Sequence, residues 1–124
     1  MSDIPAVKID GIKLSDNTFQ DGDNVWYVTN LIDRAKDLVP FDIPLSGIYS
    51  GVEVWSPVSS AYDLAKQMRR VLDVNTEYPV ILDEKGFIMD GWHRVTRALI
   101  DGKPTIKAVR FDKTPAPDYT KPKS

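Results

Sequence analysis

The chain has no cysteine among its 124 residues and a single histidine, His93. The first absence removes disulfides, thiolate nucleophiles and cysteine metal sites. The second removes any histidine-rich zinc site. No apolar run approaches the roughly 18 residues that a membrane span requires. The start, MSDIPAVKID, has no basic segment followed by an apolar one, so no signal peptide is expected and the cytoplasm is the expected location. An excess of one charge is lacking too. Sixteen basic residues stand against 18 acidic ones, for a net charge of −2, which argues against a surface built for non-specific duplex DNA. What is present is 42% hydrophobic and 10% aromatic residues, enough for a core, at a length that suits one domain.

Three stretches divide the chain. Residues 1–24 read as a polar extension, in which VKIDGIKL alternates Val7, Ile9, Ile12 and Leu14 about an Asp10-Gly11 turn and predicts a small hairpin. TFQDGDN reads as a loop. Residues 25–111 read as the domain proper and residues 112–124 as a Pro-rich tail without regular structure.

Within the domain, VWYV at 25–28 predicts a strand. TNLIDRAKDL predicts a helix capped by Thr29 or Asn30, with Leu31, Ile32, Ala35 and Leu38 on one face and Pro40 as its stop. Residues 40–51, with two prolines and two glycines, read as an irregular or extended connection, and VEVW at 52–55 as a strand. Ser59 or Ser60 caps the next helix, with Asp63 in a capping-box position. That helix carries a stripe of Leu64, Met68, Val71 and Leu72. YPVIL and GFIM flank the turn DEKG, a hairpin signal with Gly86 at positive φ. A helix follows, burying Val95, Leu99 and Trp92, with Gly102 near its C-cap. TIKAVRF, at 105–111, closes the pattern as a strand. Irregular alternation of helices with hairpins predicts an α+β domain with a mixed sheet.

Asp90-Gly91-Trp92-His93-Arg94 lies where the second hairpin strand meets its helix. A helix N-terminus offers unpaired N–H groups and the positive end of the dipole, so an anion binds there readily. Gly91 admits close approach, and His93 and Arg94 supply donors that can bracket a phosphate. Cations in a first helical turn lose from a few tenths to about 1 kcal/mol against the dipole, and an anionic guest reverses that loss. The plainer alternative makes Asp90 an N-cap, His93 a half-buried polar residue, Trp92 a core anchor and Arg97 a partner of Asp101.

The stretch YPVILDEKGFIMDGWHRVTRALIDGKPTIKAVRF, residues 78–111, preceded by DLAKQMRRVL, resembles the ParB/sulfiredoxin superfamily. The likeness covers the C-terminal half, fits residues 25–57 loosely and does not reach residues 1–24. It implies a single compact ParB/sulfiredoxin-like α+β domain with a mixed sheet and flanking helices. Sulfiredoxins carry a catalytic cysteine before the His-Arg pair. Here Trp92 holds that place, so sulfinic acid reduction is excluded. Partition proteins carry a Gly-x-Arg-Arg-like motif and a helix-turn-helix domain. Here His93 stands in place of the first arginine, and with only residues 112–124 after the last expected strand, a full partition protein is not expected. The closest motif is the Asp-Gly-x-His-Arg of the free-serine kinase branch.

That branch implies phosphates of ATP or CTP held by Gly91, His93 and Arg94, with Trp92 in the same cofactor-binding stretch. It also implies Asp90 as a magnesium ligand or a base. Its further glutamate base has one candidate here, Glu53, whose plainer reading is a solvent-facing strand residue. The expectation is therefore nucleotide or phosphate binding, with phosphotransferase or nucleotide hydrolase activity open. The alternatives are a non-catalytic regulatory or interaction module of a partition, plasmid or phage system, with a protein or DNA partner, and a ParB-like nuclease. A homodimer is compatible with the apolar residues near the termini. Trp26 and Trp55 read as packing residues, and KQMRR as a solvated helix face whose Arg69 and Arg70 could meet a partner's acids. Asp21-Gly22-Asp23-Asn24 resembles half a calcium loop but lacks the downstream glutamate.

Overall fold

The computed structural model describes residues 4–9, 17–48, 51 and 60–122. The hairpin expected about Asp10-Gly11, the strand VEVW, Trp55 and Glu53 lie wholly or largely outside the described residues. Two sheets and three helices form an α+β domain.

The smaller sheet begins with β1 (Thr18–Asp21) and β2 (Asn24–Tyr27), an antiparallel hairpin turning at Gly22, φ +61°. The stretch expected to be a loop is therefore a strand and a turn. The tail also departs from expectation, because β7 (Tyr119–Thr120) pairs with the outer edge of β2. Further side-chain bonds fasten it. Trp26 Nε1 donates to Pro115 O, Asp118 Oδ2 accepts from Tyr27 N at 2.7 Å, and Asp118 Oδ1 accepts from Asn30 Nδ2 at 2.9 Å.

Those contacts explain the start of α1 (Val28–Ala35). Neither Thr29 nor Asn30 caps it. The N-cap is Tyr27, without a side-chain cap of its own, and the tail's Asp118 supplies the carboxylate there. Val28, Leu31 and Ala35 are buried, whereas Ile32, expected on that face, is exposed. The helix stops at Ala35, before Pro40.

The larger sheet has the order β3-β6-β4-β5. β3 (Phe41–Pro44) falls in the stretch read as an irregular or extended connection and pairs antiparallel with β6 (Thr105–Arg110). As an edge strand it tolerates Pro44 at its end. β6 runs parallel to β4 (Val80–Leu82), which forms the expected hairpin with β5 (Ile88–Asp90) through Gly86, φ +89°. The sheet is therefore mixed.

Both faces are covered, which is why Val80, Ile81 and Leu82 are all buried without alternation. Val80, Leu82, Ile88, Ile106 and Ala108 pack with Val95 and Ala98 of α3 (Trp92–Ile100). Ile81, Met89, Val109 and Phe111 pack with Leu31, Ala35 and Trp26. Leu99, expected to be buried, is 49% exposed, because α3 turns Ala98 inward instead. The C-terminus of α3 closes as a Schellman motif. Gly102 at φ +67° donates to Leu99 O and Lys103 N to Ala98 O.

α2 (Ala61–Asp73) has the expected N-cap, Ser60, whose Oγ accepts from Asp63 N at 3.0 Å. Its apolar stripe is a correction. Only Val71 is buried, and Leu64, Met68 and Leu72 face outward. Beside the buried Val71, a polar bond joins α2 to α3: Arg97 Nη1 donates to Leu72 O at 2.7 Å. Among the described residues no helix is long and apolar enough to cross a membrane.

Asp118→Ala should cost about 1–2 kcal/mol in urea unfolding, because two donors at the start of α1 lose their acceptor. A change within a few tenths would show that the tail does not cap α1.

Candidate anion site

Gly91 makes the corner. β5 ends at Asp90, and Gly91, at φ +117° and ψ 16°, turns the chain into α3 as its N-cap. A Cβ at this position would lie 2.5 Å from Val80 Cγ1 and 2.8 Å from Val80 Cβ. Glycine is thus required twice, by the backbone angle and by the contact with β4. Its close approach is to the neighbouring strand, a structural demand that stands beside any role toward a ligand.

The first turn of α3 holds Trp92, His93 and Arg94, with no acid and no side-chain cap. Asp90 does not take the cap position. Its Oδ2 accepts from Arg94 Nη2 at 2.7 Å, in a pair whose side chains are only 22% and 13% exposed. Trp92 is half-buried and packs against the core on the α3 side of the sheet. Arg97 pairs with Asp101 at 2.9 Å, as the spacing predicts.

α2 contributes two side chains that the sequence reading did not assign to the site. His93 Nε2 lies 2.9 Å from Gln67 Oε1, so an Nε2–H tautomer donates to that amide oxygen. Arg70 stands near both His93 and Asp90. Burial lowers its pKa from the ordinary value, and the Asp90 carboxylate opposes that shift. The signal was spacing: Gln67 lies one turn before Val71, which is buried, and Arg70 three positions after Gln67, so Gln67 shares a side of α2 with each.

The histidine responds to this setting. Burial first, then the guanidinium groups of Arg70 and Arg94, push its pKa down to about 4. The ring is therefore neutral at pH 7, held among positive charges. Asp90, Gly91, Trp92, His93 and Arg94 come together as expected, along a broad open cleft of about 1620 Å³ that Arg70 and Tyr78 also line. Among the described residues no three acids or imidazoles gather to hold a metal ion. Asp90 is also engaged by Arg94, so the donor set does not fit a resident magnesium site. No family model, curated protein or solved structure matches the chain.

Two expectations follow. Gly91→Ala should lower stability by about 2–4 kcal/mol, from positive φ and overpacking against Val80, read by denaturant unfolding. A loss below 0.5 kcal/mol would contradict the contact. The second concerns pH. An unfolded chain protonates His93 near 6.5, whereas the folded chain resists to about 4. Stability is therefore full above pH 6.5 and falls as the pH drops through that window. For a half-buried ring, solvent screening limits the loss to about 1–2 kcal/mol. His93→Gln should flatten that part of the melting-temperature profile, and equal slopes in both proteins would refute the assignment.

Proposed function

We propose that this chain is a ParB/sulfiredoxin-like domain that binds the phosphates of a nucleotide, ATP or CTP, at the start of α3. One observation carries the reading: Arg70, His93 and Arg94 line one cleft at the start of α3, with Asp90 paired to Arg94 beside them. The convergence falls at a helix N-terminus without an acid or a cap, where the dipole adds to the positive potential. A phosphate placed there meets guanidinium donors suited to its oxygens. The resemblance of residues 78–111 to the superfamily supports the same ligand.

Catalysis is a narrower claim within this reading. Phosphoryl transfer depends mainly on positioning and charge neutralisation. Arg94 would share its donors between Asp90 and a phosphate, which leaves Asp90 beside the reacting group as a proton acceptor. Magnesium would arrive with the nucleotide, held chiefly by phosphate oxygens and water, and would supply charge neutralisation. Two-metal nuclease chemistry finds less support, because it calls for more acids than this cluster offers.

A thermal-shift panel of ATP, CTP, GTP, ADP and inorganic phosphate, with and without magnesium, tests the reading. Ligand at a hundredfold excess over Kd stabilises by about 2.7 kcal/mol, a rise of several degrees. Arg94→Ala should abolish the rise. Asp90→Asn should keep it and stop any transfer to serine or water in product analysis. No rise with any compound, or an undiminished rise in Arg94→Ala, would remove the proposal.

A further inference from the structure

We propose that Tyr78 is the platform on which the base of a bound nucleotide stacks, and that it sets the preference of the cleft for nucleoside polyphosphates over bare polyphosphate. This rests on the phosphate-binding reading above and adds the residue that recognises the rest of the ligand.

A phosphate alone fills little of the cleft. The cleft holds about 1620 Å³, above the roughly 300–1,000 Å³ of ordinary small-molecule sites. A ligand anchored by phosphate at the start of α3 therefore has room for a larger body beside it. Tyr78 stands at that end. After α2 stops at Asp73, Val74, Tyr78 and Pro79 all line the cleft on the way into β4. Tyr78 comes two residues before Val80, the residue against which Gly91 packs, so at most about 7 Å of backbone separates the two.

The Tyr78 residue is 63% exposed, although the backbone beside it is held. Val80 is 0% exposed, and Pro79 confines the residue before it to extended backbone. An aromatic ring carried on a fixed backbone loses little freedom when a ligand covers it. Neither ring pair among the described residues, Phe19 with Trp26 or Tyr27 with Tyr119, occupies its face. Trp92 is not a rival platform, because it packs against the core. Phe87 lines the same cleft and is 65% exposed, but it precedes Asp90 by three residues of strand, about 10 Å. Every base has a π-face, so stacking recognises a nucleoside without reading its edge, and the phenol hydroxyl is not required.

Isothermal calorimetry with ATP, CTP and inorganic tripolyphosphate, each with magnesium, tests the assignment. Tripolyphosphate carries at least as much negative charge as either nucleotide, so charge alone does not favour the nucleotide. The tighter of ATP and CTP should bind the unmodified protein about tenfold more strongly than tripolyphosphate. Tyr78→Ala should remove that advantage and leave tripolyphosphate affinity and the melting temperature in place. Tyr78→Phe and Phe87→Ala should keep it. A nucleotide advantage that survives Tyr78→Ala, or one lost in Tyr78→Phe or in Phe87→Ala, would overturn the assignment. So would equal weakening of nucleotide and tripolyphosphate in Tyr78→Ala, or equal binding of both by the unmodified protein. Each of those results leaves phosphate binding at α3 standing. If none of the three ligands binds, both readings fall.

Discussion

The contact between Gly91 and Val80 is the constraint on which the rest of the site depends. It brings the end of β5 against β4 so closely that no side chain fits between them. The positive φ at Gly91 then turns the chain so that α3 leaves the sheet with its first turn at the rim of the cleft. Val95 and Ala98 seat α3 on the sheet, and the Schellman closure at Gly102 returns the chain into β6. The place of His93 and Arg94 is thus a consequence of packing that has its own reasons. The charge of Arg94 is not: a helix start seated on a sheet gains nothing from a cation in its first turn.

α2 makes that first turn a cluster. It presents Gln67 and Arg70 toward α3, held by the bond from Arg97 to Leu72 O. Its cost is visible on the other side, where Leu64, Met68 and Leu72 face solvent. The orientation that exposes this stripe is the one that brings Arg70 to His93. Asp90 moderates the result. By holding Arg94 it keeps one guanidinium neutralised within the protein, so an incoming anion competes with a carboxylate, and binding rearranges an ion pair already formed.

Local chemistry made much of this legible in advance. The Gly86 hairpin, the Ser60 cap, the stop at Gly102 and the mixed α+β order each follow from residues adjacent in sequence, and so does the grouping of residues 90–94. The features that escaped depend on distant partners. β7 is two residues long and exists because Asn24 and Val25 offer it an edge. β1 and β3 are short and partly polar, and their pairing defines them more than their composition does. The cap of α1 comes from Asp118, some 90 residues away. Arg70 belongs to the site through the rotation of α2 about its axis, which a stripe of apolar residues pointed in the wrong direction. Periodicity finds a helix; what covers each face is decided by tertiary packing.

Crystals grown in concentrated ammonium sulfate test the central claim most directly. The cation cluster at the start of α3 predicts a sulfate within hydrogen-bonding distance of Arg70, His93 and Arg94, with Arg94 drawn partly from Asp90. Well-ordered density with water alone at that position, Arg94 still closed on Asp90 and sulfates bound elsewhere would contradict it.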